Sequence, residues 1–239
     1  METTRRQMLS QIAAGAGAAF FTTPGLFAEE LTRTSRMAEG PFYPDKMPLD
    51  TDNDLLVLND SITPAVGSVA HLTGKVRNSK GDPIRNAYVE IWQVDNNGVY
   101  IHSDSIRSEK RDKNFQGYGR FLTDVAGSYY FRTIRPASYP GRTSHIHIAV
   151  SLNGRRVLTT QILDKANKAA NEKDGLFKQI KEPKLRETLL VDYKPIKDSK
   201  IGELAADFQI ILGKTVEENE DGTIKGLGKT EGGRRRRRR

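Results

Sequence analysis

The sequence has no cysteine and a single tryptophan in 239 residues. Without cysteine the chain forms no disulfide bond, holds no thiolate metal site and uses no cysteine nucleophile, and the redox compartment is left open. Stretches with a helical period are few, whereas glycine is plentiful, with 21 residues. The length fits an export segment followed by one domain of ordinary size with a normal core.

Positive charge is unevenly distributed along the chain. The net charge is +8, but Arg234–Arg239 supply six of these charges, so the rest of the chain carries only +2. The arginine run follows Gly232-Gly233 and contains no apolar or aromatic residue. We therefore predict a disordered basic tail at 215–239 and no nucleic-acid partner for the body, with a nucleic-acid or acidic partner for the tail as the alternative.

The first residues follow the order of a secretory signal. Arg5-Arg6 precedes a short apolar run, Ile12–Phe21, and Leu26-Phe27-Ala28 offers a cleavage site. The paired arginines resemble the twin-arginine type, a route for proteins that have already folded, often with a cofactor inserted. A membrane anchor or a buried helix is the alternative, but the run is short for a span and is interrupted by glycines. We predict a signal at 1–28, export to the periplasm and no stable membrane span.

The body is predicted to be rich in strands. Residues 70–76 alternate apolar and polar side chains, residues 87–92 form the next strand, and turn-forming residues follow each of them. Further runs of this style lie at 127–134, 145–152, 157–163 and 208–212. This spacing predicts an all-β fold, an antiparallel β-sandwich over 67–214, preceded by an extended N-terminal arm at 29–66. Residues 166–180 are expected to hold one or two helical turns.

Two of the four histidines in the chain form the triplet His145-Ile146-His147. In a strand, side chains two residues apart point to the same face, so both imidazoles can bind one metal ion while Ile146 packs on the other face. Most such pairs are surface or core residues, and this remains the alternative for a pair considered by itself.

Two tyrosines and an arginine lie close to this pair in the sequence or at a strand end. Tyr139-Pro140-Gly141-Arg142 is a loop just upstream of His145, and Tyr100 follows a strand end, where functional residues are common. A phenol ionises near pH 10, but a trivalent cation strongly favours its anion. Two phenolates and two imidazoles would stabilise Fe(III), whereas two histidines with a carboxylate suit Fe(II). The alternative is that both tyrosines are half-buried residues at strand ends.

Several motifs in order resemble the intradiol ring-cleavage dioxygenases, most closely the protocatechuate 3,4-dioxygenase type and its beta chain. The motifs are Glu39-Gly40-Pro41-Phe42-Tyr43-Pro44, Val89-Glu90-Ile91-Trp92-Gln93, Gly98-Val99-Tyr100, Gly117-Tyr118-Gly119-Arg120, Thr123-Asp124, Phe131-Arg132-Thr133-Ile134-Arg135-Pro136, Tyr139-Pro140-Gly141-Arg142, His145-Ile146-His147 and Asp207-Phe208-Gln209-Ile210-Ile211-Leu212. Separate motifs in the right order are more specific than any one of them.

The resemblance implies ferric iron, Fe(III), held by Tyr100, Tyr139, His145 and His147. It implies that Tyr139 leaves the iron when substrate arrives and accepts a catechol proton, while Tyr100 and His147 stay bound. Arg142 resembles the family's arginine that stabilises negative charge on the substrate, and Gln161 resembles the glutamine beside the site. The implied reaction opens a catechol-type ring with O2 to a cis,cis-muconate product, without an external reductant.

Departures from the protocatechuate enzyme concern the loop after Tyr139. The loop to His145 is shorter, and Gly141 stands where that enzyme has a tryptophan, so the substrate pocket is expected to be altered or opened. The residues before the first strand look extended, unlike the helical linker by which catechol 1,2-dioxygenases form their dimer, which favours the protocatechuate-like branch. Pro41 and Tyr43 are further candidates to reach the substrate.

The resulting prediction is an exported enzyme that acts on protocatechuate or a related small aromatic diol, together with O2. Two alternatives stay open: a transthyretin-like β-sandwich module that binds without catalysis, and a family member for hydroxyquinol or a lignin-derived catechol. A homo- or hetero-oligomer is compatible with the sequence. Trp92 is predicted to be a core residue. His71 and His102 are interpreted as structural or surface residues, with His102 close enough to Tyr100 to act beside the site.

Overall fold

The computed structural model describes residues 30–58, 63–213, 217–218 and 224–225. The predicted signal at 1–28 and the arginine run Arg234–Arg239 lie outside these residues. Among the described residues, no helix is long and apolar enough to cross a membrane.

Strands dominate the described part of the chain, and the helices are short. The strands are β1 Val69–Arg77, β2 Tyr88–Trp92, β3 Tyr118–Leu122, β4 Ser128–Ile134, β5 His145–Leu152, β6 Arg155–Asp164, β7 Leu190–Val191, β8 Lys194–Pro195, β9 Leu204–Asp207, β10 Ile210–Ile211, β11 Glu217–Glu218 and β12 Ile224–Lys225. The α-helices are α1 Lys168–Asn171 and α2 Pro183–Glu187, and 3-10 turns cover Ser108–Lys110, Lys165–Asn167 and Phe177–Gln179.

Two five-stranded sheets form the body. In the first sheet β1 pairs antiparallel with β4, and its other edge pairs in parallel with β9 and then with β10, while β8 lies beyond β9. The second sheet has the order β3-β2-β5-β6-β7, and its neighbours are antiparallel except for the parallel pair β6–β7. Strands β11 and β12 pair only with each other among the described residues, inside the range predicted to be a tail.

The hydrophobic core lies between the two sheets. Leu72 and Phe131 of the first sheet belong to the same buried cluster as Val89 and Ile148 of the second. Alternate residues of each strand face this cluster because strand side chains point to opposite faces in turn. Burial of each such side chain contributes roughly 1.5–3 kcal/mol. The prediction of an all-β sandwich is confirmed, and the parallel pairs come from short strands in the C-terminal third.

The second sheet is also covered on the face turned away from the core. A second buried cluster there contains Trp92, Tyr100, Tyr118 and Ala149, with Phe42 and other arm or loop aromatics packed against it. Seven of the eight β5 residues are consequently buried, with Ser151 as the exception. This doubly covered sheet provides a water-poor face on which polar side chains can be held in fixed positions.

An arm of residues 31–45 without helix or strand crosses onto this second face. It is tied down at intervals, since the N–H of Thr34 donates to Ile211 O (3.0 Å) and the N–H of Met37 donates to Thr159 O (3.1 Å). The helical turns predicted within 166–180 are present as α1 and its flanking 3-10 turns.

Candidate metal centre and active site

Tyr100, His145 and His147 converge on one point beside the second sheet. Tyr100 Oη lies 2.9 Å from His147 Nε2 and 3.0 Å from His145 Nε2, and the two Nε2 atoms are 3.2 Å apart. All three residues are at most 2% exposed. The two imidazoles share a face because they are two residues apart in β5, as predicted. Ile146 lies in the core on the other face, also as predicted.

The arrangement fits a metal ion held by nitrogen and oxygen. His145 Nδ1 lies 2.6 Å from Thr143 O, and since a carbonyl only accepts, Nδ1 carries the proton and Nε2 presents its lone pair. Burial, followed by the charge of Arg142, lowers the pKa of His145 to about 4, so the ring is neutral at pH 7. Two ligands about 2.1 Å from a metal at right angles are about 3.0 Å apart, close to the separations seen here.

Burial also controls the protonation of the other two groups. It lowers the pKa of His147, with smaller effects from His145 and Arg142 in the same direction. It raises the pKa of the Tyr100 phenol well above 10, and the neighbouring Tyr139 adds to this increase. A bound cation of high charge acts in the opposite direction, because it stabilises the phenolate. Arg142 lowers the pKa of Tyr100 only in part, so a bound cation would supply the remaining stabilisation of its phenolate.

Tyr139 is brought to the same place by a tight turn. The N–H of Arg142 donates to Tyr139 O (2.9 Å), Pro140 lies at the second position, and Gly141 has φ +84° at the third. This is the sequence and backbone pattern of a type II turn, in which glycine favours the third position. The Tyr139 ring centre is 5.7 Å from that of Tyr100 and 5.6 Å from that of His145. All four residues predicted as metal ligands are thus brought together.

Arg142 is fixed from two sides. Its Nε donates to Asp174 Oδ2 at 2.8 Å, and its Nη2 donates to Gln161 Oε1. Gln161 in turn donates from Nε2 to Ala38 O (2.7 Å) and pairs with His147 across β5 and β6. The two side chains predicted to act beside the metal are therefore in contact with each other and with the arm.

Asp174 is a functional candidate that sequence reasoning missed. Its side chain is fully buried and accepts the N–H groups of Thr143, Leu176 and Phe177 as well as Arg142. Burial alone would raise the pKa of Asp174, but these hydrogen bonds and the guanidinium outweigh it and hold the pKa below its usual value. The carboxylate is therefore charged at neutral pH and can fix the position of Arg142.

Asn171, three residues before Asp174, supports the same loop. The hydroxyl of Thr143 donates to Asn171 Oδ1 (2.8 Å), and Asn171 Nδ2 donates to Asp164 O (2.9 Å). Thr143 holds His145 through its carbonyl, so this chain of contacts runs from α1 to a metal-ligand candidate. The contacting residues are about thirty positions apart, so no local pattern in the sequence indicates that they meet. The predicted helical segment 166–180 was the only sequence feature that pointed to this region.

Trp92 is buried, as predicted, but on the site face of its sheet. Its ring stacks on His147 with centroids 4.8 Å apart and planes 9° apart. His147 Nδ1 is buried without a hydrogen-bond partner among the described residues. The indole therefore fixes the plane of the imidazole by packing.

The candidates for substrate contact lie around the edge of this centre. Tyr43 donates its hydroxyl to Glu90 Oε1 (2.8 Å) and packs edge-on against Trp92. Pro41 is exposed, and a side chain placed at Gly141 would meet nothing within 4 Å. Gly141 is exposed, and the expected opening of the pocket stays a prediction. Substrate contact by these three residues stays a prediction.

The two remaining histidines differ in their distance from the site. His102 lies edge-on to Phe42 with ring centres 5.8 Å apart, and Phe42 stacks on Tyr100. His71 lies on the outer face of the first sheet, where it is hydrogen-bonded to Tyr130 and Glu203. His71 is therefore structural, as interpreted from the sequence.

The candidate centre is where these side chains meet, and it lies apart from a cavity nearby. A cavity of about 580 Å³ is lined by Tyr100, Met47, Leu49 and other residues, but by neither His145 nor His147. The described residues contain no group of three or more His, Cys, Asp and Glu able to hold a metal. The candidate centre does not meet this criterion because two of its four candidate ligands are tyrosines.

Known proteins are similar to this chain in sequence and in fold. The family model Dioxygenase_C, described as Dioxygenase, matches residues 38–213. The protocatechuate 3,4-dioxygenase beta chain of Burkholderia cepacia is 40% identical over 86 residues, 33% of this chain and 37% of that protein. Catechol 1,2-dioxygenase of Candida albicans is 31% identical over 155 residues, 57% of this chain and 49% of that protein. The chain thus spans about half or less of the length of these curated relatives.

A solved structure extends the similarity over a whole domain. The dioxygenase domain of a dioxygenase carbohydrate-binding protein fusion from the cellulolytic bacterium Streptomyces sp. SirexAA-E matches with a TM-score of 0.58 and 27% identity. That match covers 77% of this chain and 100% of the solved chain. Because the family model spans most of the sandwich and its relatives are intradiol enzymes, the chain belongs to the intradiol ring-cleavage dioxygenase family.

Proposed function

We propose that this protein is a non-haem Fe(III) enzyme that cleaves a catechol-type ring between its two hydroxyl-bearing carbons. The co-substrate is O2 and the product is of the cis,cis-muconate type. The observation that carries the proposal is the meeting of Tyr100 Oη with the Nε2 atoms of His145 and His147, beside the Tyr139 ring. Family membership supports the same reaction class.

Tyr100, Tyr139, His145 and His147 are the residues that would hold the iron. When bound, the ferric ion supplies a Lewis-acidic centre that binds the diol and makes its ring reactive toward O2. Phenolate oxygens are hard anionic ligands that suit a trivalent ion, and imidazole nitrogen is a common ligand of iron. The buried, neutral state of both imidazoles leaves their lone pairs available without loss of a proton.

The surrounding residues prepare the site for an anionic substrate. Tyr139 is the half-buried member of the set, on a turn at the edge of the centre, so its Oη is the group best placed to accept a proton from a catechol hydroxyl. Arg142 supplies a positive charge whose position is fixed by Asp174 and Gln161. Preorganised charge of this kind stabilises developing negative charge without reorganisation during the reaction. Trp92 and Phe42 cover the centre and exclude water.

The substrate is proposed to be protocatechuate or a related small aromatic diol. The highest identity among the relatives compared is with a protocatechuate 3,4-dioxygenase beta chain, although a catechol 1,2-dioxygenase aligns over a longer stretch. The open space at Gly141 leaves room for a ring substituent. Export to the periplasm by the Arg5-Arg6 signal, and assembly with a second subunit or copy, belong to the same proposal.

Visible absorption with iron analysis tests the proposal on the purified full chain. We expect one iron per chain and a red-brown tyrosinate-to-iron(III) band that shifts when protocatechuate, catechol or hydroxyquinol is added under air, with uptake of O2. The preferred diol is the one with the highest kcat/KM. Colourless protein that stays iron-free after reconstitution and consumes no O2 would support the binding-module alternative instead.

A further inference from the structure

Glu90 is a buried carboxylate for which the proposed reaction has no use. It lies on β2 two residues before Trp92, so both side chains point to the site face of the second sheet. Its Oε1 accepts the hydroxyls of Tyr43 (2.8 Å) and Tyr118 (2.7 Å), and its Oε2 pairs with Arg156 Nη2 (3.0 Å). The Glu90 side chain is only 11% exposed, so this charge is stabilised by its three partners and very little by water.

Arg156 extends this contact to two points on the arm. Besides Glu90, its guanidinium forms an ion pair with Glu39 and lies over the Tyr43 ring, 4.8 Å from the ring centre. Arginine suits this position because its planar fork can pair with two carboxylates and stack on an aromatic face at once. Glu39 and Tyr43 are four residues apart, so the Arg156 side chain contacts both ends of the intervening segment.

That intervening segment touches the candidate metal centre. A side chain at Gly40 would begin 3.6 Å from Cε1 of His147, and Phe42 stacks on Tyr100 with centroids 5.0 Å apart and planes 22° apart. Among the described residues, no backbone-to-backbone hydrogen bond ties residues 38–50 to the sandwich. Side chains must therefore hold this part of the arm in place.

We propose that Glu90 and Arg156 are positioning residues that clamp arm residues 39–43 across the candidate metal centre. The clamp keeps Phe42 against Tyr100 and keeps the backbone at Gly40 beside His147. Loosening it releases the cover of the site without touching a metal-ligand candidate. The catalytic consequence rests on the proposed function, whereas the docking of the arm does not.

Acrylamide quenching of Trp92 fluorescence in the full chain, without substrate, tests the docking directly, because this single tryptophan is fully buried and Tyr43 of the arm packs edge-on against it. Glu90→Gln keeps the size of the side chain but removes the charge that Arg156 needs, and we expect the fraction of molecules with an open arm to rise roughly tenfold, which increases the quenching constant. Tyr43→Phe removes one hydrogen bond and should give a smaller increase. Glu203→Gln is the matched control, since it changes a carboxylate that is hydrogen-bonded to His71 of the other sheet and should leave the quenching of Trp92 unchanged.

A merely structural role for Glu90 predicts a different result. The quenching constant of Trp92 would then rise only in proportion to the unfolded fraction measured by circular dichroism, and the proposal would be overturned. In iron-loaded protein kcat/KM should fall in the same order, Glu90→Gln more than Tyr43→Phe, with Glu203→Gln unchanged. If wild-type protein proves to have no ring-cleaving activity, the quenching result still decides the clamp, and only the proposed function fails.

Discussion

The two faces of the second sheet show opposite uses of the same alternating strands. The core face of β2 and β5 carries apolar side chains such as Val89 and Ile148. The site face carries Glu90, Trp92 and the histidine pair, and it is almost equally buried. Burial of apolar groups stabilises the fold directly, whereas each buried polar group has to find a partner. The arrangement of the site face therefore depends on specific polar contacts, whereas that of the core face depends on how well apolar side chains fill the available volume.

Substitutions at neighbouring residues of β5 compare the two faces directly, and the largest effect is expected on the site face. His147→Ala removes a metal-ligand candidate from the site face, and we expect iron affinity to fall at least about a hundredfold, since even residues that only support a ligand are often worth 10–100-fold. Iron analysis and O2 uptake with catechol measure the change. Full iron occupancy in the variant would contradict the assignment of His147.

The adjacent substitution on the core face should have the reverse effect. Ile148→Ala leaves a cavity in the core between the sheets and is expected to destabilise the fold by about 2–5 kcal/mol. The site face is untouched, so the folded fraction should still bind iron with an unchanged visible band. Denaturant unfolding monitored by fluorescence gives the stability. A loss of iron that exceeds the loss of folded protein would show that the two faces are not separable.

A smaller effect is expected from the support of Arg142. Asp174→Asn keeps the shape of the side chain but removes its charge, so the guanidinium loses a buried partner. We expect kcat/KM to fall about 10–100-fold while iron content stays the same. Glu172→Gln is the control, because Glu172 pairs with Arg186 through a half-exposed carboxylate. Equal losses in both variants would argue against a positioning role for Asp174.

The smallest expected effect is a pH dependence of stability that comes from the same carboxylate. The pKa of Asp174 is depressed in the folded protein, so its charge stabilises the fold above its unfolded pKa of about 3.9, and this contribution is lost as pH falls through the folded value. The stability difference between iron-free wild type and Asp174→Asn should therefore be constant near neutrality and shrink below about pH 4. A difference that persists unchanged under acid conditions would assign the stabilisation to another group.

The long alternating strands were predictable from sequence, but several short or glycine-rich ones were not. Strand β3 was missed because its glycines resemble a turn. Gly119 is required there because a Cβ would lie 2.6 Å from Asp52 O, in the segment that packs across the strand. The two-residue strands β7 and β8 have too few positions for a period to be visible, whereas β10 lies within the predicted run at 208–212.

For the candidate site, the sequence predicted which side chains meet but not what holds them. The spacing of His145 and His147 and the turn at Tyr139 are local features, and motif order supplied Tyr100. Asp174 and Glu90 act through partners tens of residues away, and acidic side chains are ordinarily exposed. Their roles depend on the path of the arm and of α1 over the sheet, which no local pattern encodes.

The parallel pairing of β1 with β9 and β10 has a consequence for the order in which this chain can fold. Ala70 aligns with Leu204, and Arg77 aligns with Ile211, so one edge of β1 remains open until nearly the whole sandwich has been synthesised. Contacts this distant in sequence slow folding because a long loop must close before they form. Ribosome-bound chains that end before Leu204 should keep β1 with a single neighbour, and completion of the first sheet is one of the last steps in the folding of the sandwich.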